Sequence, residues 1–149
     1  MFPEDAPPPS GDARAQRLEA LAADMEASGR GRDDPVRTVF ALVGDRWTML
    51  LLLVLGTGDW RHAELRRVVG RLSIEEGISQ RVLTEKLRAL RRNGFVSRHS
   101  TDDVPPRVTY RLTKSGCELL DRARALLDWV KGEVPVILAA RDGFACEAD

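Results

Sequence analysis

The chain has 149 residues, which is the size of one domain with little room for a second. Its 43% hydrophobic and 31% charged residues are an ordinary globular balance, and they argue against a wholly disordered or collagen-like chain. The longest apolar run, residues 47–55, is too short to span a bilayer, and the N-terminus lacks the features of a secretory signal. We therefore expect a cytoplasmic protein with no membrane partner.

The formal net charge is zero, but the charges are unevenly distributed along the chain. Residues 61–111 hold twelve Arg and Lys against six Asp and Glu, whereas residues 1–36 hold four against eight. A local basic region is what a polyanion would contact, because salt screens exposed charges beyond about 8 Å. A solvated face rich in salt bridges would have the same composition, so the position of these charges in the fold decides between the two interpretations.

The N-terminal third contains three predicted helices. Four prolines predict that residues 1–9 are a disordered lead-in. A helix and its linker follow over residues 10–33, with Ser10 or Asp12 as the cap. Pro35 begins a short helix that Gly44 ends, and residues 46–55 form the most buried helix of the chain.

The central part has the pattern of a helix-turn-helix. Residues 60–62 are expected to be extended, and residues 63–69 form the first helix of the motif. A polar connection over residues 70–77 leads to the second helix, which we expect from about Ser79, its N-cap, to Arg92.

Two extended runs and a long helix complete the predicted fold. The runs at 95–99 and 107–112 form a hairpin, and Thr113 caps a helix that ends near Gly132, because Pro135 blocks its continuation. Residues 133–149 are then a tail with room for one short helix. The order of elements predicts an α+β, mostly α, winged helix-turn-helix over residues 34–132, with additional N- and C-terminal helices.

The second helix of the motif carries the strongest candidates for DNA binding. Its outer face holds donors and acceptors that can reach base edges, and the N-terminal part of such a helix enters the major groove most deeply. The candidates for base and adjacent phosphate contact are Ser79, Gln80, Arg81, Thr84, Glu85 and Arg88. Arg66 and Arg67 on the preceding helix are expected to contact the phosphate backbone. Arg107 at the hairpin tip is expected to enter the minor groove or to lie along the phosphates, with Arg98 and Arg111 flanking it on the strands.

Three segments of this region resemble the HxlR-type winged-helix transcription regulators. They are Gly77–Leu90, Asn93–Arg98 and Val104–Gly116, of which the Val-Pro-Pro-Arg-Val wing is the most specific. The resemblance covers about residues 34–130. It implies a cytoplasmic homodimer that binds double-stranded DNA at a pseudo-palindromic operator and dimerises through its first and last helices.

The chain departs from this family at three places. The family often carries a cysteine before the first conserved helix, where Asp33 and Asp34 stand here, so thiol sensing by that route is not expected. His62 occupies a place where the family usually has Phe, and its ring is expected to pack at the edge of the sheet. The connection within residues 66–76 is longer than expected, which leaves the docking angle of the second helix open.

Other functions have less support in the sequence. The two His and two Cys lack the paired spacing of a zinc site, and no nucleophile or phosphate-loop motif is present, so we expect no enzyme, metal or cofactor. A winged-helix interaction module without DNA binding remains an alternative, as does a regulator gated by a small-molecule effector. The candidate effector cavity is lined by Phe40, Trp47, Trp60 and Trp129, although these side chains can equally be core residues. Cys117 and Cys146 are interpreted as structural and tail residues respectively.

Overall fold

The computed structural model describes residues 11–27, 31, 34–74 and 77–147, so the predicted lead-in at residues 1–9 lies outside the described residues. The contacts divide the chain after Phe40 into two units, which we describe separately. The elements are α1 (Gly11–Ala27), α2 (Pro35–Gly44), α3 (Arg46–Leu55), β1 (Trp60–Arg61), α4 (His62–Leu72), α5 (Gln80–Arg92), β2 (Val96–Ser100), β3 (Val108–Leu112) and α6 (Lys114–Glu147). The winged helix-turn-helix and its mostly helical α+β class are confirmed.

The first unit contains α1 and the start of α2. No residue of α1 is buried, and its apolar residues Leu18, Leu21 and Met25 are all more than half exposed. Asp34 caps α2, since its Oδ1 accepts a hydrogen bond from the backbone N–H of Val36 at 3.0 Å and the residue is buried. The predicted boundaries of both helices are therefore confirmed within one or two residues.

The second unit contains the hydrophobic core. Helices α3, α4 and α5 pack together with a three-stranded antiparallel sheet of order β1-β3-β2, in which Trp60 pairs with Tyr110 and Arg98 also pairs with Tyr110 from the other side. The core is made by the apolar faces of these helices together with β2 and α6. Its most buried members are Leu51, Leu52, Leu65, Val69, Leu83, Leu87 and Leu90.

The apolar run at residues 47–55 is confirmed as a core helix, because half of the residues of α3 are buried. In the part of the chain that the structure describes, no single helix is long and apolar enough to cross a membrane. Among the described residues, the length and apolar composition of a membrane span are met only when α2 and α3 are taken together, as a bent pair broken at Asp45.

The start of α6 is joined directly to the end of α5. The backbone N–H of Thr113 donates to Phe95 O at 3.0 Å, and its hydroxyl donates to Gly94 O at 2.5 Å. Gly94 has a φ of 78°, which glycine adopts without strain where α5 ends. A side chain at Gly116 would collide with the carbonyl of Phe95, so the first turn of α6 lies against the α5–β2 junction.

Three predicted boundaries are wrong. His62 is the first residue of α4 and not part of the extended piece, and α4 continues to Leu72, three residues past the predicted end. Helix α6 does not end near Gly132 but continues through Pro135 to Glu147, so Cys146 lies in a helix and not in a tail. Pro135 removes one helical hydrogen bond, to the carbonyl of Lys131. Both residues are exposed, so water can bond that carbonyl and the good helix formers that follow continue the helix.

Candidate nucleic-acid interface

Helix α5 separates an apolar face from a polar one. Leu83, Leu87 and Leu90 are buried in the core, and Ser79 caps the helix by accepting a hydrogen bond from the N–H of Val82 at 3.2 Å. The predicted start, end and inner face of the helix are confirmed. Its solvent face presents Gln80, Arg81, Glu85 and Arg88, all exposed, and Thr84, which is half-buried.

A half-buried ion pair fixes α5 against α3. Nζ of Lys86 on α5 lies 2.8 Å from Oδ1 of Asp45, whose other oxygen caps α3 by accepting hydrogen bonds from the backbone N–H and the hydroxyl of Thr48. Burial raises the pKa of the Asp45 carboxyl, but the hydrogen bonds from Lys86 and Thr48 outweigh it and hold that pKa below its ordinary 3.8. One carboxylate thus sets the start of α3 and the position of α5.

His62 connects the two helices of the motif to the sheet. Its Nε2 lies 3.1 Å from Oγ1 of Thr84 on α5, and its ring centroid lies 6.4 Å from that of Tyr110 on β3. Because the Thr84 hydroxyl donates its proton to Gln80 O at 2.8 Å, Nε2 of His62 must be the donor to Thr84. Burial lowers the pKa of His62 below 6.5, and the positive charge of Arg66 lowers it further. The predicted packing of this ring at the sheet is confirmed.

Arg66 and Arg67 lie on the exposed face of α4 where it approaches the start of α5. Nε of Arg66 donates to the carbonyl of Ile78 at 3.4 Å, just before the Ser79 cap. Both arginines line an open cavity of about 600 Å³ together with Ala63, Gly70, Gly77 and Ile78. The two predicted phosphate-contacting arginines therefore lie beside the N-terminus of α5.

The tip of the wing is closed by hydrogen bonds between its two ends. The backbone N–H of Arg107 donates to Oγ1 of Thr101 at 2.9 Å, and the N–H of Thr101 donates to Arg107 O at 3.0 Å. Nε of Arg107 also donates to Oδ2 of Asp103 at 3.0 Å. The side chain of Val104 is fully exposed between these two residues.

The strands of the wing place two further arginines at the surface. Arg111 on β3 pairs with Asp59 through an Nη2–Oδ2 contact of 2.5 Å, and Arg98 on β2 is exposed beside Tyr110. Asp59 immediately precedes β1, which pairs with β3, so the sheet itself brings this ion pair together.

This arrangement of α4, α5 and wing is matched by a known family. The family model described as HxlR-like helix-turn-helix matches residues 42–136. The chain belongs to the HxlR family. It is a transcriptional regulator with a helix-turn-helix DNA-binding domain, as the resemblance implied, and its matched relatives are regulators and not enzymes.

Relatives of this HxlR-family chain include the HTH-type transcriptional regulator YtfH of Escherichia coli (strain K12), which is 38% identical over 108 residues, covering 72% of this chain and 81% of the relative. The solved structure of the transcriptional regulator ytfH from Salmonella typhimurium is 38% identical, with a TM-score of 0.61 over 75% of this chain and 95% of that one. The solved structure of the redox regulator HypR in its reduced form is 30% identical, with a TM-score of 0.59 over 70% of this chain and 98% of that one.

Sequence reasoning on this HxlR-family chain missed the acidic partners of its candidate arginines. Arg81 pairs with Glu85 through an Nε–Oε1 contact of 3.0 Å. Arg107 likewise forms an ion pair with Asp103, and Arg111 forms one with Asp59. The first two pairs are four residues apart, a spacing that is visible in the sequence. The third joins residues 52 positions apart and could not be found from spacing.

The four residues of the candidate effector cavity have different surroundings. Trp60 packs on the core and its Nε1 donates to Val54 O at 3.0 Å, and Trp47 also packs on the core. Trp129 on α6 is 63% exposed, and Phe40, in the first unit, is 74% exposed. The effector cavity stays a prediction.

The interpretation of Cys117 as a buried or half-buried structural residue is wrong, because the residue is exposed in the first turn of α6. Within the described ranges, no three His, Cys, Asp or Glu side chains are grouped so that they could hold a metal ion.

Proposed function

We propose that this HxlR-family regulator binds a pseudo-palindromic operator as a homodimer. In each protomer α5 enters the major groove, and the β2–β3 wing follows the backbone or enters the minor groove. The observation that supports this most directly is α5 itself: its inner face is fixed in the core, and its capped N-terminal half presents only polar and charged side chains.

The polar side chains of α5 then fall into two groups, those that contact the DNA and those that position other residues. Gln80, Arg81 and Arg88 are exposed and long enough to reach base edges or phosphates. The hydroxyl of Thr84 donates a hydrogen bond to the backbone carbonyl of Gln80 and accepts one from His62, so we assign Thr84 to positioning and not to base reading. Ser79 likewise accepts from Val82, although its hydroxyl proton is free to reach a phosphate.

The homodimer is supported by a heptad stripe along α6. Apolar residues recur with alternating spacings of four and three, the pattern of a helix that packs on a partner helix. The apolar members are Leu119, Ala123, Leu126, Val130, Ile137, Ala140 and Phe144, and the charged Glu133 occupies the one position of the stripe between Val130 and Ile137. Ala123 is buried within the protomer, whereas Leu126 is 51% and Phe144 is 75% exposed, so we infer that a second copy covers the distal part of the stripe.

The interaction module without DNA binding is the less favoured function. Such a module would expose aromatic or aliphatic anchors on α5, since these residues supply most of the energy of protein interfaces. The solvent face of α5 carries none.

The test is binding to duplex DNA. We expect the purified protein to bind the duplex from its own upstream intergenic region more tightly than a random duplex, with random binding falling steeply as salt rises. Arg81→Ala should weaken binding to the matched duplex by about 1–3 kcal/mol, whereas Arg107→Ala should weaken binding to both duplexes and reduce the salt slope. Absence of binding to either duplex at low salt would refute the proposal.

A further inference from the structure

Three arginines of the proposed DNA face each hold a carboxylate of the same chain. The contacts are Arg81–Glu85 at 3.0 Å, Arg107–Asp103 at 3.0 Å and Arg111–Asp59 at 2.5 Å. They come from three different elements, namely the DNA-reading helix, the wing tip and the central strand of the sheet. All six side chains are close to half exposed or more, so solvent and a phosphate group can reach each pair.

These pairs contribute little to the fold. Exposed ion pairs gain little energy, because water screens them and two long side chains must be ordered. The half-buried Lys86–Asp45 pair, in contrast, joins α5 to α3 and has a structural purpose. The three surface carboxylates therefore have their main effect on whatever approaches the arginines.

For a DNA phosphate, each carboxylate is a competitor. A phosphate that binds Arg81 or Arg107 must displace a carboxylate oxygen 3.0 Å from the guanidinium, and it then lies close to a second negative charge. This cost is the same for every DNA sequence, because every duplex has the same backbone. Base contacts, in contrast, are made only on a matched site.

We propose that Glu85, Asp103 and Asp59 are specificity-determining residues. They lower the affinity of the regulator for the phosphates of any duplex, so that only sites at which base contacts offset this loss are bound tightly. This inference rests on the proposed DNA binding. Repulsive groups that penalise the wrong partner are a general route to specificity.

Glu85 has a second property that the other two lack. A carboxylate on a major-groove helix can accept a hydrogen bond from cytosine N4. At a matched site Glu85 can therefore give up its contact with Arg81 and accept this hydrogen bond instead. Asp103 lies at the wing tip and Asp59 immediately precedes β1, so neither is on the major-groove helix and both have only the repulsive effect. The three positions therefore share one effect on random DNA and differ on the matched site.

The experiment compares Glu85→Gln, Asp103→Asn and Asp59→Asn with the wild type on a random duplex across a salt series. Asp128→Asn is the matched control, because it makes the same charge change at an exposed pair, Asp128–Lys131, on α6. We expect each of the three variants to bind the random duplex about 3- to 10-fold more tightly at low salt. The slope of log K against the logarithm of the salt concentration should become steeper by up to about 0.9 for each arginine that loses its carboxylate partner. The control should change less than 2-fold.

The preference for the upstream duplex over the random one should fall in all three variants. Random-duplex affinities equal to that of Asp128→Asn would overturn the inference while leaving the proposed DNA binding intact. If the wild type and every variant bind neither duplex, the proposed function itself is wrong. Thermal melting of each variant confirms that the fold is unchanged.

Discussion

Helix α5 and the distal half of α6 both expose side chains to solvent, but these exposed side chains are opposite in chemistry. Helix α5 buries its leucines and exposes Gln, Arg and Glu. The distal half of α6 exposes Val134, Val136, Leu138 and Phe144. A polar exposed face is complete in the single chain and available to DNA, whereas an apolar exposed face is stable in water only when something covers it. In the proposed dimer the two helices therefore divide two tasks, recognition of DNA and recognition of a second copy.

The largest effect is expected from a charge on the apolar stripe of α6. Val130→Glu should separate the dimer, because a carboxylate would be desolvated between two copies beside Glu133. Loss of the second DNA-binding half should then lower affinity for a two-half-site operator by about 100-fold or more. Light scattering after size-exclusion chromatography measures the mass, and DNA titration measures the affinity.

The control for this variant is Ala139→Glu, which adds the same charge on the opposite side of the helix, about 90° or more from every position of the distal stripe. It should leave mass and affinity unchanged. A Val130→Glu protein that keeps the mass of a dimer would show that the stripe is not the interface.

An intermediate effect is expected where α5 is fixed to α3. Asp45→Ala removes the cap of α3 and leaves Lys86 half-buried without its partner, so the free energy of unfolding should fall by about 2 kcal/mol. Asp45→Asn keeps a good cap and loses only the ion pair, and it should lose about half as much. Urea unfolding separates the two contributions, and equal stabilities of wild type and Asp45→Ala would contradict this assignment.

The smallest effect is a pH dependence from His62. Its pKa is lowered in the folded state, so between that value and 6.5 the unfolded chain binds more protons and stability decreases as pH falls. His62→Gln keeps an N–H donor for Thr84 and removes the titration, so its melting temperature should fall less between pH 7.5 and 5.5. His99→Gln is the control, because His99 is exposed, and it should retain the wild-type dependence. Identical profiles for all three proteins would refute this role.

Local patterns predicted most of the fold. The period of the leucines in α5, the Ser79 cap and the turn at Gly94 each depend on a few neighbouring residues, and the boundaries of α5 follow from them. The rule that proline ends a helix is also local, and it failed at Pro135, because an exposed helix loses only one hydrogen bond that water replaces.

The contacts that connect elements could not be predicted in the same way. Lys86 and Asp45 are 41 positions apart, and His62 and Thr84 are 22 apart. Each contact depends on how α3, α4 and α5 pack, which a period in one helix does not contain. The chemical type of Thr84 predicts a contact with DNA, because its hydroxyl can bond a base, whereas its contacts with His62 and with the carbonyl of Gln80 depend on how the helices pack and fold.

The junction of Thr113 and Gly116 with the α5–β2 turn has a consequence for the spacing of the operator. Helix α6 has 34 residues and a length of about 50 Å, and its first turn is hydrogen-bonded to the end of the DNA-reading helix. In the proposed dimer, the distance between the two α5 helices is then determined by where along α6 the copies meet. The proposal thus assigns the contacts with bases to α5 and the number of base pairs between the half-sites to α6, so the two properties can change independently in evolution.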